Sequence, residues 1–160
     1  MISGYRLSKL FGFAFMLLGW GKGLPLRAQS AQDSVRQTVQ TLMKGMLLAD
    51  SSMIRQAFTE QAVLQTIKSG GAQGTPILQN ESVDEFVQAV GKLKPGVADE
   101  QVEFGAVHLD GDLASVWTPY RFFRSGQFSH CGVNSFQLVR GEKGWKIQYL
   151  IDTRRKQPCW

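Results

Sequence analysis

The sequence is poor in the residues that usually announce chemistry. Its 160 residues include two cysteines and two histidines. Neither histidine belongs to a ligand-spaced cluster, so a metal site has no support and no cofactor is expected. There is no phosphate-binding glycine loop, no nucleophile elbow and no dinucleotide fingerprint, which excludes the common nucleotide-binding and hydrolase signatures. No apolar run is long enough to cross a bilayer stably. Internal repeats, low-complexity tracts and a second-domain linker are also missing. What remains is one domain with one core.

Surplus positive charge is missing too, once position is considered. The chain has 18 Lys and Arg against 13 Asp and Glu. Arg6, Lys9, Lys22 and Arg27 account for four of the basic residues and lie in a stretch without acids. Residues 1–30 read as a secretory signal peptide. Arg6 and Lys9 form its positive region, Leu10–Trp20 its apolar region, and Ala28-Gln29-Ser30 offers small residues for cleavage. Pro25 breaks any helix between them. The alternative is a buried N-terminal helix. Without residues 1–30 the chain has 14 basic and 13 acidic residues, a net charge of +1. The high isoelectric point is therefore no argument for nucleic-acid binding. The Trp and Phe residues recur at core spacing rather than as a base-stacking surface. The expectation is an exported protein, periplasmic or secreted, with a domain at 31–160 and no stable membrane anchor after cleavage.

What is present is periodicity. Asp33 to Ala49 places Val35, Val39, Leu42, Met43, Met46 and Leu47 on one helical stripe. Asp50-Ser51-Ser52 offers an N-cap for a short second helix carrying Met53, Ile54, Ala57 and Phe58. Ala62 to Lys68 reads as a strand, and Ser69 to Asn80 as a flexible loop placed to act as a lid. Ser82 with Glu85 fits a capping box, and Val83, Phe86, Val87 and Val90 continue the stripe to Gly91.

Four strands then follow, Val102–Leu109, Asp112–Arg124, Gln127–Arg140 and Trp145–Arg155, rich in β-branched and aromatic residues. The turns at Asp110-Gly111, Ser125-Gly126 and Gly141–Gly144 set a register in which Leu109 opposes Asp112, Arg124 opposes Gln127, and Arg140 opposes Trp145. Opposed residues share a face. One face then carries Phe104, His108, Trp117, Arg121, His130, Asn134, Phe136, Ile147 and Tyr149. The other carries Val107, Val116, Tyr120, Cys131, Val133, Leu150 and Asp152. A single bulge would exchange the faces beyond it.

On this register His130 and Arg121 oppose one another as a general base and an anion holder. Phe104, Trp117, Asn134 and Tyr149 line the same cavity as ligand contacts. The bland alternative leaves His130 and Asn134 as satisfied polar groups and Arg121 in water. His108 reads as a solvated turn residue.

The order of elements is helix, short helix, strand, helix and four strands, an α+β arrangement. With Thr38–Thr66, Glu81–Phe86 and the closing hairpin Gly132–Ile151, it resembles the nuclear transport factor 2-like superfamily. That group also takes in ketosteroid isomerases, scytalone dehydratase and polyketide-cyclase-like proteins. The resemblance implies a cone-shaped, curved antiparallel sheet covered by N-terminal helices. SHCGVNSFQL followed by DTRRKQPC is similar to an exported bacterial subgroup of uncharacterised function. Ketosteroid isomerases use a carboxylate base with Tyr and protonated Asp donors. That set cannot be placed here, because the register puts Asp152 on the outer face.

Cys131 and Cys159 form an even pair in an exported chain, which suggests a bridge. Cys131 opposes Arg154, so a straight strand would leave the two about 16 Å apart. Pro158 offers a turn that brings the tail back. The alternative is two separate thiols.

Three functions from different classes fit. The first is an exported domain binding a small apolar or aromatic molecule. The second is an isomerase, dehydratase or hydrolase using His130 with Arg121. The third is a homodimeric interaction module joined through the outer sheet face. No nucleic-acid partner is expected.

Overall fold

A computed structural model describes residues 1, 30–68, 70 and 74–159. The expected leader therefore lies outside the described residues, apart from Met1. The elements are α1 (Ala31–Leu48), α2 (Ser51–Ala57), β1 (Phe58–Lys68), β2 (Ile77–Glu81), α3 (Val83–Gly91), β3 (Ala98–Val102), β4 (Ala106–Asp110), β5 (Leu113–Arg124), β6 (Gln127–Gly141) and β7 (Gly144–Arg154).

The helices begin where side chains satisfy their free N–H groups. Ser30 accepts from the Asp33 amide at the start of α1, and Asp50 accepts from the Met53 amide at the start of α2. Ser82 and Glu85 form both halves of the capping box of α3. At Gly45 a Cβ would sit 2.9 Å from Ile54 Cγ1. The missing side chain lets α2 fold back against α1.

The seven strands form one open, curved sheet in the order β2-β1-β7-β6-β5-β3, with β4 also on β5. The pairing of β1 with β7 is parallel, so the sheet is mixed rather than purely antiparallel. The expected strand at 102–109 is two strands on one edge of β5, separated at Glu103–Gly105. The end of the expected Ser69–Asn80 loop is ordered as β2 against β1. The rest of that loop includes residues outside those described. The helices cover one face of the sheet. Val35, Val39 and Leu42 of α1 meet Val116, Phe136, Leu138 and Ile147 of the sheet, all of them nearly inaccessible to water.

Two bulges decide what faces the helices. Around the β5–β6 turn, Arg124 opposes Gln127 and Phe123 opposes Phe128, but Phe122 opposes His130. Ser129 is the extra residue. Beyond it Val116 pairs with Phe136 and Thr118 with Asn134. In the last hairpin Leu138 opposes Ile147, but Gln137 opposes Tyr149, so Gln148 is extra. Each added residue reverses the two faces of one strand relative to its neighbour. On β5 the inward set is Ala114, Val116, Thr118, Tyr120 and Phe122. On β7 beyond the bulge it is Leu150, Asp152 and Arg154.

Candidate functional site

A cavity of about 370 Å³ lies between the helices and the concave sheet face. Met43, Met46, Phe86 and Leu93 supply its apolar wall, while Glu100, His130, Asn134, Asp152 and Arg154 gather on the sheet side. The sheet supplies these side chains from adjacent strands. Glu100 on β3 opposes Phe122 on β5, which opposes His130 on β6. Asn134 on β6 opposes Asp152 on β7, and Asp152 opposes Thr66 on β1.

The two carboxylates deepest in this arrangement have different occupations. Asp152 accepts from Thr66 Oγ1 at 2.6 Å, from the Tyr120 hydroxyl at 2.8 Å and from Arg154 Nε at 3.0 Å. Arg154 also donates to Thr66 Oγ1, at 3.1 Å. Asp152 is thus the hub of a network spanning β1, β5 and β7. Burial opposes the Arg154 cation, but the charge and hydrogen bond of Asp152 more than offset it and hold the guanidinium pKa above its ordinary value. Burial, followed by the charges of Asp152 and Glu100, pushes the Tyr120 phenol up, so it remains a donor.

Tyr120 reaches Asp152 by crossing the face of β6 at Gly132. A Cβ there would lie 1.7 Å from the Thr153 carbonyl oxygen and 2.8 Å from Tyr120 Cε1. The glycine is required by that close approach.

Glu100 has a single hydrogen-bond partner among the described residues, Asn134 Nδ2 at 2.8 Å. The residue as a whole keeps some accessible surface, but its carboxyl lies in the cavity away from bulk water. Burial raises its pKa to about 7, against the Asn134 hydrogen bond, which lowers it. Burial likewise raises Glu81 on the cavity wall. His130 rests between Phe122 and Tyr120, with ring centroids 5.0 and 5.8 Å away. Its Nδ1 is 3.1 Å from Ser129 Oγ. Burial lowers the His130 pKa and Arg154 lowers it further, which favours the neutral ring.

Of the side chains nominated from sequence, His130 and Asn134 line the cavity. Arg121 and Trp117 do not. The Ser129 bulge puts both on the opposite face, where Trp117 is 51% exposed and Arg121 lies 3.9 Å from Glu103. The pairing of His130 with Arg121 is therefore corrected: His130 opposes Phe122. Tyr149 is also turned outward, by the Gln148 bulge, and donates to Gln65. Phe104 packs on the core beneath the Arg36 guanidinium, 5.6 Å from its ring centroid, rather than in the cavity. Val107, Val116 and Leu150, expected outside, face inward. His108 is exposed.

Sequence reasoning missed Glu100, Tyr120, Asp152 and Arg154. An alternative register with Leu150 and Asp152 inward was the available signal, since Tyr149-Leu150-Ile151 is apolar on both parities. Among the described residues no three His, Cys, Asp or Glu side chains gather to hold a metal. Cys131 and Cys159 are joined, with Cα atoms 5.9 Å apart. The tail turns back after Arg155, which pairs with Cys131 through two backbone hydrogen bonds of 2.9 Å.

No family model matches the chain, and no curated protein does. Solved structures match its shape. A nuclear transport factor 2-like protein of unknown function from Shewanella baltica superposes with a TM-score of 0.59 at 14% identity, covering 78% of this chain and 93% of that one. A nuclear transport factor 2-like protein with a cystatin-like fold from Novosphingobium aromaticivorans gives 0.62 at 12% identity, covering 80% and 84%. A ketosteroid isomerase-like protein from Erwinia carotovora atroseptica gives 0.58 at 14% identity, covering 81% and 100%. Helices laid over one face of a curved mixed sheet, with polar groups collected between them, give this chain the nuclear transport factor 2-like fold.

Proposed function

We propose that this chain is an exported domain that binds a small amphipathic molecule in the cavity between its helices and its sheet. The observation that carries the reading is the division of that cavity. One wall is apolar, and the other holds Glu100, His130 and Asn134, with acceptor atoms not consumed by the fold. A concave space with an apolar wall and a few convergent polar groups is the usual form of a ligand site. The Cys131–Cys159 bridge supports an oxidising compartment, and the sequence of residues 1–30 supports removal of a leader.

Native mass spectrometry of the purified mature chain tests this reading. A retained small molecule is expected. It should be lost from Ala89→Trp, which plugs the cavity at an exposed position on α3. A bare chain mass in both proteins, with no small molecule shifting wild-type stability, would overturn it.

A second reading is proton transfer with Glu100 as acid and base. Its pKa of about 7 favours this role, since proton donors and acceptors work best near the ambient pH. His130 and Asn134, on the same cavity wall, would position the substrate in that case. Glu100→Gln should then abolish turnover of any substrate that the wild type converts. The interaction-module reading rests on the outer face, where Trp117 and Leu113 are each about half exposed on β5. A second copy covering that face would appear as a dimer in light scattering, and Trp117→Ser should return it to a monomer.

A further inference from the structure

Beyond binding as such, the arrangement of acceptors in the cavity specifies what the ligand must bring. Asn134 is 3% exposed and lies on the cavity wall. Its Nδ2 donates to Glu100. An ionised Glu100 can only accept, so in that state the amide turns its N–H₂ group toward Glu100 and leaves its oxygen unbonded to the carboxylate. Among the described residues, that oxygen and the second oxygen of Glu100 have no hydrogen-bond partner. Neither is both sealed from solvent and unpartnered; among the described residues the side-chain atoms in that condition are Arg36 Nε and Thr118 Oγ1. Two acceptors therefore remain for whatever occupies the cavity.

The charges agree with the acceptors. Glu81, Glu100 and Asp152 line the cavity together with Arg124 and Arg154. Arg154 is bound to Asp152 and Thr66, and Arg124 is exposed. Glu81 and Glu100 are left without an ion-pair partner among the described residues. Donors on the ligand, with positive charge, would satisfy what the fold leaves open.

We propose that the ligand of this cavity is an organic cation: a primary ammonium group seated between Glu100 and the Asn134 amide oxygen, on an apolar body lying against Met43, Met46 and Leu93. This proposal rests on the cavity being a binding site. It adds the sign and the hydrogen-bonding character of the ligand. A carboxylate or phosphate ligand would meet the same acceptors and be repelled.

The test uses three probes with one apolar body: 2-phenylethylamine, 2-phenylethanol and 3-phenylpropanoate. Each is titrated by calorimetry into the disulfide-intact mature chain at pH 6 and pH 8. At pH 8 the ammonium probe should bind about tenfold or more tightly than the alcohol, and the carboxylate weakest. Between pH 6 and 8 Glu100 goes from about one-tenth to about nine-tenths ionised, so ammonium affinity should rise about tenfold while alcohol affinity stays level.

The charges acting on Glu100 are those of Asp152 and Arg154 on β7; Tyr120 on β5 lies within reach of its charge, and His130 on β6, Glu81 on β2 and Arg124 on β5 line the same cavity. All remain in Glu100→Gln, which should lose the pH step and bind the amine and the alcohol alike. If that variant does not fold, Glu81→Gln, which should keep the step, and the wild-type pH series decide. Equal affinities for amine and alcohol at pH 8, or a step that survives Glu100→Gln, would overturn the cation assignment and leave the cavity as a neutral-ligand site. Failure of all three probes to bind at millimolar concentration, in a protein that also retains no molecule in native mass spectrometry, would overturn both readings.

Discussion

Replacing Glu100 with Gln should make the protein more stable at pH 8 and nearly unchanged at pH 4. The ordinary carboxyl pKa is 4.5, and burial in the folded protein takes Glu100 to about 7. Below pH 4.5 the group is protonated in both states and costs nothing extra. Between 4.5 and 7 the unfolded chain loses this proton while the folded chain keeps it. Unfolding then releases a proton, and stability falls as pH rises. Above 7 both states are ionised, and the folded protein carries the full cost of a carboxylate held away from water. The separation of the two pKa values corresponds to about 3 kcal/mol. Gln fits the same space, can still accept the Asn134 N–H bond, and has no proton to lose. Urea denaturation followed by circular dichroism from pH 4 to 8.5 gives the stability of each protein. Glu81 and His130 titrate in both, so their contributions cancel in the difference. That difference should grow from near zero at pH 4 to about 3 kcal/mol at pH 8. Parallel curves, or a gap below about 1 kcal/mol at pH 8, would refute the burial of the Glu100 carboxyl in the cavity.

Other outcomes follow from the same geometry. Tyr120→Phe removes the hydroxyl that donates to Asp152 and should cost about 2 kcal/mol, seen as a fall of about 8 °C in melting temperature. Gly132→Ala sets a methyl group against the Thr153 carbonyl oxygen and the Tyr120 ring, where no side-chain rotation relieves it. It should cost about 3 kcal/mol or more and expose the chain to limited proteolysis under native conditions. Cys159→Ser opens a loop spanning a sequence separation of 28, which should cost about 3–4 kcal/mol in urea denaturation. Intact mass of unreduced wild-type protein after alkylation should show no label. Trp117→Ser should change stability by less than about 0.5 kcal/mol, and a loss as large as that of Tyr120→Phe would mean that Trp117 faces the core.

Much of the fold was legible in the chain. Ser82 with Glu85 and Asp50 before Met53 mark helix starts by local chemistry, and both caps form in the structure. The stripe Val35, Val39, Leu42 and Met46 marks the buried side of α1 because helical period and burial coincide. The hairpin contacts Arg124–Gln127 and Arg140–Trp145 were also readable, since a tight turn fixes the pairing beside it. These signals span a few residues, and they set the order of elements. They also carry the resemblance that matches the fold.

The site was not legible, for one physical reason. Which face a strand presents depends on parity, and one inserted residue reverses it. Ser129 and Gln148 are such insertions, and nothing in QFSHCG or KIQYL distinguishes a bulge from a regular pleat. Strand β5 could not arbitrate, because Val116-Trp117 and Phe122-Phe123 are apolar or aromatic on both parities. His130 and Asn134 were placed inward because the strand that carries them keeps one parity from His130 to Leu138. Arg121, Trp117 and Tyr149 were misplaced because they lie across a bulge from it. The sequence determined the elements, their caps and their turns, all of which depend on neighbours along the chain. Tertiary structure alone decided that Asp152 turns inward to Tyr120 and Thr66 and that Glu100 reaches Asn134 across β5. Those contacts depend on the pairing of five strands at once.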